Sequence, residues 1–150
     1  MSPNQDFKDL FKILNEENVD YLVVGAHAVM FYTEPRYTKD LDVWVNPTKE
    51  NAQRVWNALE RFGAPLQDIS VKDFTDPDMI YQIGVEPNRI DILMNTGIVE
   101  FVDALKNKVT SSYDGVSIPI IGRIDLIKSK KSIGRKQDNL DVQRLEKEDD

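Results

Sequence analysis

The stretch of residues 38–45 constrains the fold of this chain more than any other. β-branched and aromatic side chains fill positions 43–45, and the Asn-Pro pair at 46–47 is a turn signal. This pattern predicts a short β-strand that ends at residue 45. Because side chains alternate across a strand, Asp40 and Asp42 are expected to share one face, opposite an apolar face.

The two acids of this predicted strand have two interpretations. Like charges held this close repel each other unless a cation lies between them, and carboxylate oxygens are ligands that Mg²⁺ or Mn²⁺ prefers. The first hypothesis is therefore a divalent metal site at Asp40 and Asp42. The alternative is a strand end at which both carboxylates are merely solvated.

Composition excludes several classes of chemistry. The chain of 150 residues has no cysteine and a single histidine, His27, which excludes disulfides, thiolate zinc sites and imidazole-rich metal sites. It contains no apolar run of about 18 residues, and its first residues lack a basic region followed by an apolar one. We therefore expect one cytoplasmic domain, residues 1–150, without membrane contact.

Charge is distributed unevenly along the chain. The formal net charge is −7, which argues against binding to nucleic acid through global attraction. Residues 123–135 nevertheless carry five basic side chains and one acid, Asp125. This segment is either a local basic patch for an anionic ligand or the solvated face of a helix.

Hydrophobic periodicity divides the chain into alternating helices and strands. Predicted helices occupy residues 6–17, 26–32, 48–62, 99–106, 123–133 and 137–146. Predicted strands occupy residues 21–24, 38–45, 79–85, 89–94, 109–113 and 116–120, and an irregular segment is predicted at 64–77. This order predicts an α/β domain with a helical C-terminal element.

Two further positions are candidates for a site. Gly25 lies between a predicted strand and a predicted helix, where backbone N–H groups can cradle a phosphate; such a glycine also serves simply to permit a tight turn. Asp91 interrupts an apolar strand, where a charged side chain is costly without a partner. An edge position open to water, or an ion pair with Arg89, would satisfy Asp91 without any function.

Together these motifs resemble those of the nucleotidyltransferases of the DNA polymerase β superfamily. The sequence Val-Val-Gly-Ala at 23–26 is followed by Asp-Leu-Asp at 40–42 and by a third acid, Asp91. More closely, residues 21–29, Arg-x-Thr-x-Asp-Leu-Asp at 36–42, and the Lys-x4-Arg element at 130–135 are similar to the minimal stand-alone nucleotidyltransferases related to the AbiEii toxin family. The resemblance extends over residues 19–145.

The resemblance implies a fold and a reaction. The fold is a nucleotidyltransferase-like mixed β-sheet flanked by helices, with a core at about 19–122 and C-terminal helices at about 123–146. The reaction is transfer of a nucleoside monophosphate from a nucleoside triphosphate to an acceptor hydroxyl, by a mechanism with two Mg²⁺ (or Mn²⁺) ions. Asp40, Asp42 and Asp91 are the implied catalytic residues and metal ligands.

The same resemblance implies a set of nucleotide-binding residues. They are Gly25, Ala26, His27, Arg36, Thr38, Lys130 and Arg135. Gly25 would let backbone amides approach the triphosphate, and Lys130 or Arg135 would neutralise the pyrophosphate leaving group. Ala26 departs from the usual second Gly or Ser, and the missing hydroxyl costs about 1–2 kcal/mol of phosphate binding. His27 is either a replacement donor or a solvated or capping residue.

The sequence is compatible with several alternatives. If Arg36 pairs with Asp40 or Asp42 instead of fixing its loop, the acids need no metal. A non-catalytic binding module, antitoxin-like or nucleotide-sensing, is the main rival to an enzyme, and a structural protein is the second. The acceptor is RNA such as a tRNA end, a protein hydroxyl, or a small molecule such as an aminoglycoside. Selectivity is expected to depend on a partner protein or on a homodimer.

Overall fold

The part of the chain that the structure describes contains six strands and six α-helices. The computed structural model describes residues 3–33, 40–85, 88–133 and 136–148, and the side chains within them except those of 132–133, 136–139 and 147–148. The strands are β1 (Tyr21–Val24), β2 (Leu41–Val45), β3 (Ile80–Ile83), β4 (Ile90–Leu93), β5 (Val109–Tyr113) and β6 (Val116–Ile120). The helices are α1 (Gln5–Glu16), α2 (Gly25–Tyr32), α3 (Lys49–Phe62), α4 (Phe101–Lys106), α5 (Arg123–Ile133) and α6 (Lys136–Glu148).

All six strands belong to one sheet, in the order β3-β4-β2-β1-β6-β5. β1 pairs antiparallel with β2 and parallel with β6, and β2 pairs parallel with β4. The outer pairs β3–β4 and β5–β6 are antiparallel. The predicted fold class, a mixed sheet flanked by helices with a helical C-terminal element, is therefore confirmed. Within the described residues, no helix combines the length and the apolar character needed to cross a membrane.

The central strands are apolar because the sheet is covered. All four residues of β1 are buried, and so is every residue of β2 except Asp42. Continuous apolar runs are typical of strands covered on both faces. Helix α1 contributes the buried side chains Phe7, Leu10, Phe11 and Leu14 to this core. Asp42 is therefore a polar exception within a core strand.

Local signals explain the ends of several elements. Thr48 caps α3 by accepting a hydrogen bond from the Asn51 backbone N–H at 3.2 Å, and Gly63 ends the helix with a φ of 89°. The β5–β6 hairpin has its predicted bounds, and its turn residues Asp114 and Gly115 have φ values of 47° and 86°. Both residues are left-handed, as a two-residue hairpin turn requires.

The prediction that residues 64–77 are irregular is wrong in part. Val71–Thr75 forms a 3₁₀ helix that begins with a capping box between Ser70 and Asp73. Phe74 in this helix is fully buried, with its ring edge-on to those of Trp56 and Tyr81. A single aromatic anchor organises the segment, and one residue cannot produce a periodic sequence pattern.

The strand bounds also differ from those predicted. β2 begins at Leu41 rather than at 38, β3 and β4 are shorter than predicted, and α6 begins at Lys136 and extends to Glu148. Residues 38–39, residues 86–87 of the predicted turn and the predicted helix interruption at Gly134 lie outside the described residues. The remaining helices agree with prediction to within two residues.

Replacing Asn51 with alanine is expected to destabilise the fold by about 2–4 kcal/mol. Its buried amide accepts from the Asp20 N–H at 2.7 Å and donates to the carbonyls of Asp20 and Asn46 at 3.0 and 2.9 Å. Asn51→Ala leaves these backbone groups without their partner, and urea unfolding measures the cost. Asn57→Ala, which removes a surface hydrogen bond from Gln53, should change stability by less than about 0.5 kcal/mol. Equal losses in the two variants would contradict this account.

Candidate active site

The candidate site lies where the end of β1 meets the beginnings of β2 and β4. In the sheet register Val24 pairs with Asp42, and Asp42 pairs with Asp91. Side chains of paired residues point to the same face of a sheet, so the two carboxylates lie side by side. Asp91 is 8% exposed and β4 is an inner strand, so the interpretation of Asp91 as an edge residue open to water is wrong.

A cavity of about 520 Å³ opens at this place. The predicted site residues that line it are Gly25, Ala26, Asp40, Asp42, Asp91 and Lys130. The cavity is also lined by residues that were not predicted from the sequence to belong to a site: Val24, Ile80, Arg89, Leu93, Asn95, Thr96, Leu126 and Ser129. Asn95 and Thr96 directly follow β4, and this position after the strand that carries Asp91 is the signal by which they could have been found.

Gly25 is the point at which the backbone comes closest to the acids. Its φ is 64°, and a Cβ built on it would lie 2.1 Å from Oδ2 of Asp42. The N-cap residue of α2, Val24, makes no side-chain capping hydrogen bond to the helix. A helix N-terminus of this kind favours an anion. Gly25 is therefore needed both for its conformation and for the room it leaves to Asp42.

Asp42 and Asp91 interact directly. Burial is the main cause that raises the pKa of Asp42 to about 7, and the charge of Asp91 and a hydrogen bond between the two side chains contribute to the same rise. The charge of Asp40 also raises the pKa of Asp42, whereas Lys130 lowers it. The pair thus holds a proton at a pH where isolated aspartates are ionised. A merely solvated strand end does not describe Asp42.

Arg89 forms ion pairs with the other two acids. Its Nε lies 2.8 Å from Oδ1 of Asp91, and its Nη2 lies 3.5 Å from Oδ2 of Asp40. Nη2 also donates to Oδ2 of Asp91 at 3.2 Å, and the Arg89 backbone N–H donates to Oδ1 of Asp40 at 2.9 Å. The ion pair that the sequence analysis considered between Arg89 and Asp91 is therefore present.

Lys130 lies at the cavity but has a partner in α6. Its Nζ is 3.1 Å from Oδ2 of Asp141, and both side chains are buried. On the surface, Nζ of Lys131 lies 2.8 Å from Oε1 of Glu146. Two lysines of the basic segment 123–135 thus join α5 to α6, which accounts for part of that segment without an anionic ligand.

The other predicted nucleotide-binding residues are not all placed at the cavity. The ring of His27 is edge-on to Phe7 at 5.4 Å between centroids, and His27 is not among the described residues that line the cavity. Arg36, Thr38 and Arg135 lie outside the described residues. Their predicted roles, and the proposed pairing of Arg36 with the acids, stay predictions.

The donor set of the site suits a hard divalent cation. Carboxylate oxygens are the ligands that Mg²⁺ and Mn²⁺ prefer. The pKa of Asp42 is raised even though the charge of Lys130 lowers it, so a further positive charge beside Asp42 would be favourable. Within the described residues, however, no group of three or more His, Cys, Asp or Glu side chains is arranged to hold a metal ion. Asp42 and Asp91 fit as a pair, whereas both carboxylate oxygens of Asp40 contact Arg89.

Stability should depend on pH through Asp42. This carboxyl has a pKa of about 7 in the fold, against an ordinary value of 3.8 for the unfolded chain. Folding therefore takes up a proton between these pH values, and stability falls as pH rises from 3.8 to 7. Asp42→Asn keeps a donor toward Asp91 without the charge. The free energy of unfolding of the variant should equal that of the wild type at about pH 4 and exceed it by roughly 2 kcal/mol above pH 7.

Urea unfolding of both proteins across this pH range, without divalent cations, measures the effect. If the free energies of unfolding of the variant and the wild type differ by the same amount at both ends of the range, Asp42 does not cause the pH dependence of stability.

Comparison with known proteins places the chain among nucleotidyltransferases. The model of the family described as "Nucleotidyl transferase of unknown function (DUF2204)" matches residues 4–149. No curated protein matches the sequence significantly. Three solved structures have the same fold at low sequence identity, which supports the fold alone.

The first is the lincosamide antibiotic adenylyltransferase LnuA with lincomycin bound, 18% identical with a TM-score of 0.58 over 97% of this chain and 98% of that chain. The second, from Thermotoga maritima and described as a candidate nucleotidyltransferase, is 16% identical with a TM-score of 0.61, over 95% of this chain and 91% of that chain. The third is an antigenic nucleotidyltransferase-like protein from Paracoccidioides brasiliensis, 12% identical with a TM-score of 0.53, over 93% of this chain and 71% of that chain.

Proposed function

Since the chain belongs to this nucleotidyl transferase family, we propose that it transfers a nucleoside monophosphate from a nucleoside triphosphate to an acceptor hydroxyl, with Mg²⁺ or Mn²⁺ as cofactor. One observation carries the proposal. The interacting carboxylates of Asp42 and Asp91, with Asp40 nearby, line the same cavity as the N-terminus of α2. Carboxylates for a cation and amides for phosphate are the two recognition elements that a metal–triphosphate complex needs.

The cavity is suited to a nucleotide in size and in lining. Its volume of about 520 Å³ lies within the usual range for small-molecule sites. Gly25 and Ala26 would donate backbone N–H groups to phosphate oxygens, so the absent hydroxyl at position 26 removes only part of the phosphate recognition. Ile80 and Leu93 offer apolar surface on which a base would pack.

The acids of the site would act through the divalent cations that they bind. Bound divalent cations would neutralise the phosphates and lower the pKa of the acceptor hydroxyl. Asp42 and Asp91 would hold these cations after losing the proton that they share, so nucleotide binding should strengthen as pH rises toward 8. Lys130, kept in place by Asp141, would add positive charge on the side of α5.

The Arg89 ion pairs favour a second candidate function. They neutralise Asp40 and Asp91 without a metal. This arrangement suits a nucleotide-sensing or antitoxin-like binding module, which requires no catalytic metal ion. Such a module would bind nucleotide without transferring any part of it. The AbiEii-like resemblance is compatible with either function, because both enzymes and their inhibitors occur in toxin–antitoxin systems.

Transfer of label separates these functions. The protein is incubated with each of the four nucleoside triphosphates labelled at the α-phosphate, with Mg²⁺ or Mn²⁺, and with RNA, a protein extract or hydroxylated small molecules as acceptors. We expect label to enter one acceptor class with the wild type and not with Asp42→Asn. A small-molecule acceptor has a precedent in the structural neighbour that carries lincomycin. Nucleotide binding without label in any acceptor class would support the binding module.

A further inference from the structure

Arg89 holds two of the three acids at the centre of the candidate site. It stands one residue before β4, and Asp91 lies two positions along, on the same face of the strand. The guanidinium donates to both oxygens of Asp91 and contacts Asp40. A planar guanidinium matches a carboxylate with two parallel hydrogen bonds, which fixes the orientation of both groups.

The ion pairs with Arg89 compete with any cation for the same oxygens. Oδ1 and Oδ2 of Asp91 both accept from Arg89, and Asp40 uses Oδ2 for Arg89 and Oδ1 for the backbone N–H. A divalent cation needs carboxylate lone pairs that face it. This competition gives a physical reason why no described group of three acids is arranged to hold a metal.

Arg89 also has room to move. Its side chain is 26% exposed and lines the cavity of about 520 Å³, so the guanidinium can turn into open space without entering the core. Its backbone N–H bond to Asp40 does not involve the side chain and would persist. The Asp40 carboxylate would therefore be kept in place through Oδ1, while its Oδ2 becomes available.

The geometry points to Arg89 as an internal counter-ion that occupies Asp40 and Asp91 and is displaced from them when a divalent cation binds. The inference rests on the proposed function, because it requires the metal site at these acids. Arg89 is on this account a positioning residue: it keeps the carboxylates oriented and neutralised in the metal-free protein. The released guanidinium would remain in the cavity, within reach of an anionic ligand.

Removing the competitor should strengthen metal binding. Arg89→Gln is expected to bind Mn²⁺ at least about tenfold more tightly than the wild type in the absence of nucleotide, as measured by electron paramagnetic resonance of free Mn²⁺. Arg61→Gln makes the same change in net charge but removes only surface ion pairs to Glu16 and Glu17. It should leave the Mn²⁺ affinity unchanged.

Displacement itself can be observed in the wild-type protein. The Nε–H resonance of Arg89, identified by its loss in Arg89→Gln, should be protected from exchange with water because it donates to Asp91. Titration with Mg²⁺ should shift this resonance and raise its exchange rate, while the Arg61 resonance does not change. An unaltered Arg89 resonance in protein saturated with Mg²⁺ would overturn the inference and leave the proposed function standing.

The remaining outcomes are also decisive. Mn²⁺ binding by Arg89→Gln alone would show that Arg89 blocks the site and is not displaced by the cation, and it would overturn the inference. Equal Mn²⁺ affinity in Arg89→Gln and the wild type would show that Arg89 does not compete. No Mn²⁺ binding by either protein would remove the metal site, and the inference and the proposed function would then fall together.

Discussion

Gly25→Ala is expected to abolish binding of the metal–nucleotide complex, with a loss of affinity of about a hundredfold or more. The added Cβ would lie 2.1 Å from Oδ2, 2.9 Å from Cγ and 3.0 Å from Cβ of Asp42. Because all three side-chain atoms are crowded, turning the carboxylate alone cannot relieve the contact. Asp42 must leave its position beside Asp91, and the site loses the pair of carboxylates.

The same substitution should also reduce stability by about 1–3 kcal/mol, since Gly25 has a φ of 64°. Gly63→Ala is the matched control: its φ is 89°, and nothing lies within 4 Å of the added Cβ. It should show a loss of stability of about 1 kcal/mol and normal nucleotide binding. Calorimetry and urea unfolding of the two variants separate backbone strain from crowding of Asp42. Normal binding by Gly25→Ala would contradict the role given to this contact.

Asp91→Asn should lower the rate of nucleotidyl transfer by about 10²- to 10³-fold. The substitution keeps the shape of the side chain but removes the negative charge beside Asp42, so the pair no longer offers two carboxylates to a cation. It also leaves Arg89 with one charged partner fewer. Transfer of α-phosphate label to the acceptor identified with the wild type measures the loss.

Asp125→Asn provides the control for this experiment. Asp125 is 6% exposed, much like Asp91 at 8%, but it accepts from the Asn107 amide away from the candidate site. Its replacement should change the transfer rate by less than about threefold. Comparable losses in the two variants would mean that burying an amide, rather than losing a ligand, causes the defect.

Much of the fold could be predicted from the sequence because its signals are local. The apolar run 21–24, the Asp-Gly turn at 114–115 and the cap at Thr48 each act over a few residues. Each therefore leaves a pattern that can be recognised in the sequence. The acids of the candidate site leave a similar local signal: Asp42 and Asp91 interrupt apolar strands, where an unpaired charge is costly, and Asp40 directly precedes β2.

The features of the site that could not be predicted from the sequence depend on contacts between distant segments. The pairing of Asp42 with Asp91 is set by the register of two strands that are separated in the chain by α3, the 3₁₀ helix and β3. Arg89 is noticed as a partner of Asp91 from their spacing alone, but its contact with Asp40 spans 49 residues. The contact between Lys130 and Asp141 likewise depends on how α5 packs on α6. Sequence spacing carries no information on these distances.

Calorimetric titration of the four nucleoside triphosphates, with and without Mg²⁺, tests most directly whether these acids form a metal-dependent nucleotide site. The account predicts that the wild type binds at least one triphosphate only when Mg²⁺ is present, and that Asp40→Asn/Asp42→Asn does not bind it although the variant remains folded. Binding that is equally strong without Mg²⁺, or that survives the double substitution, would contradict the account.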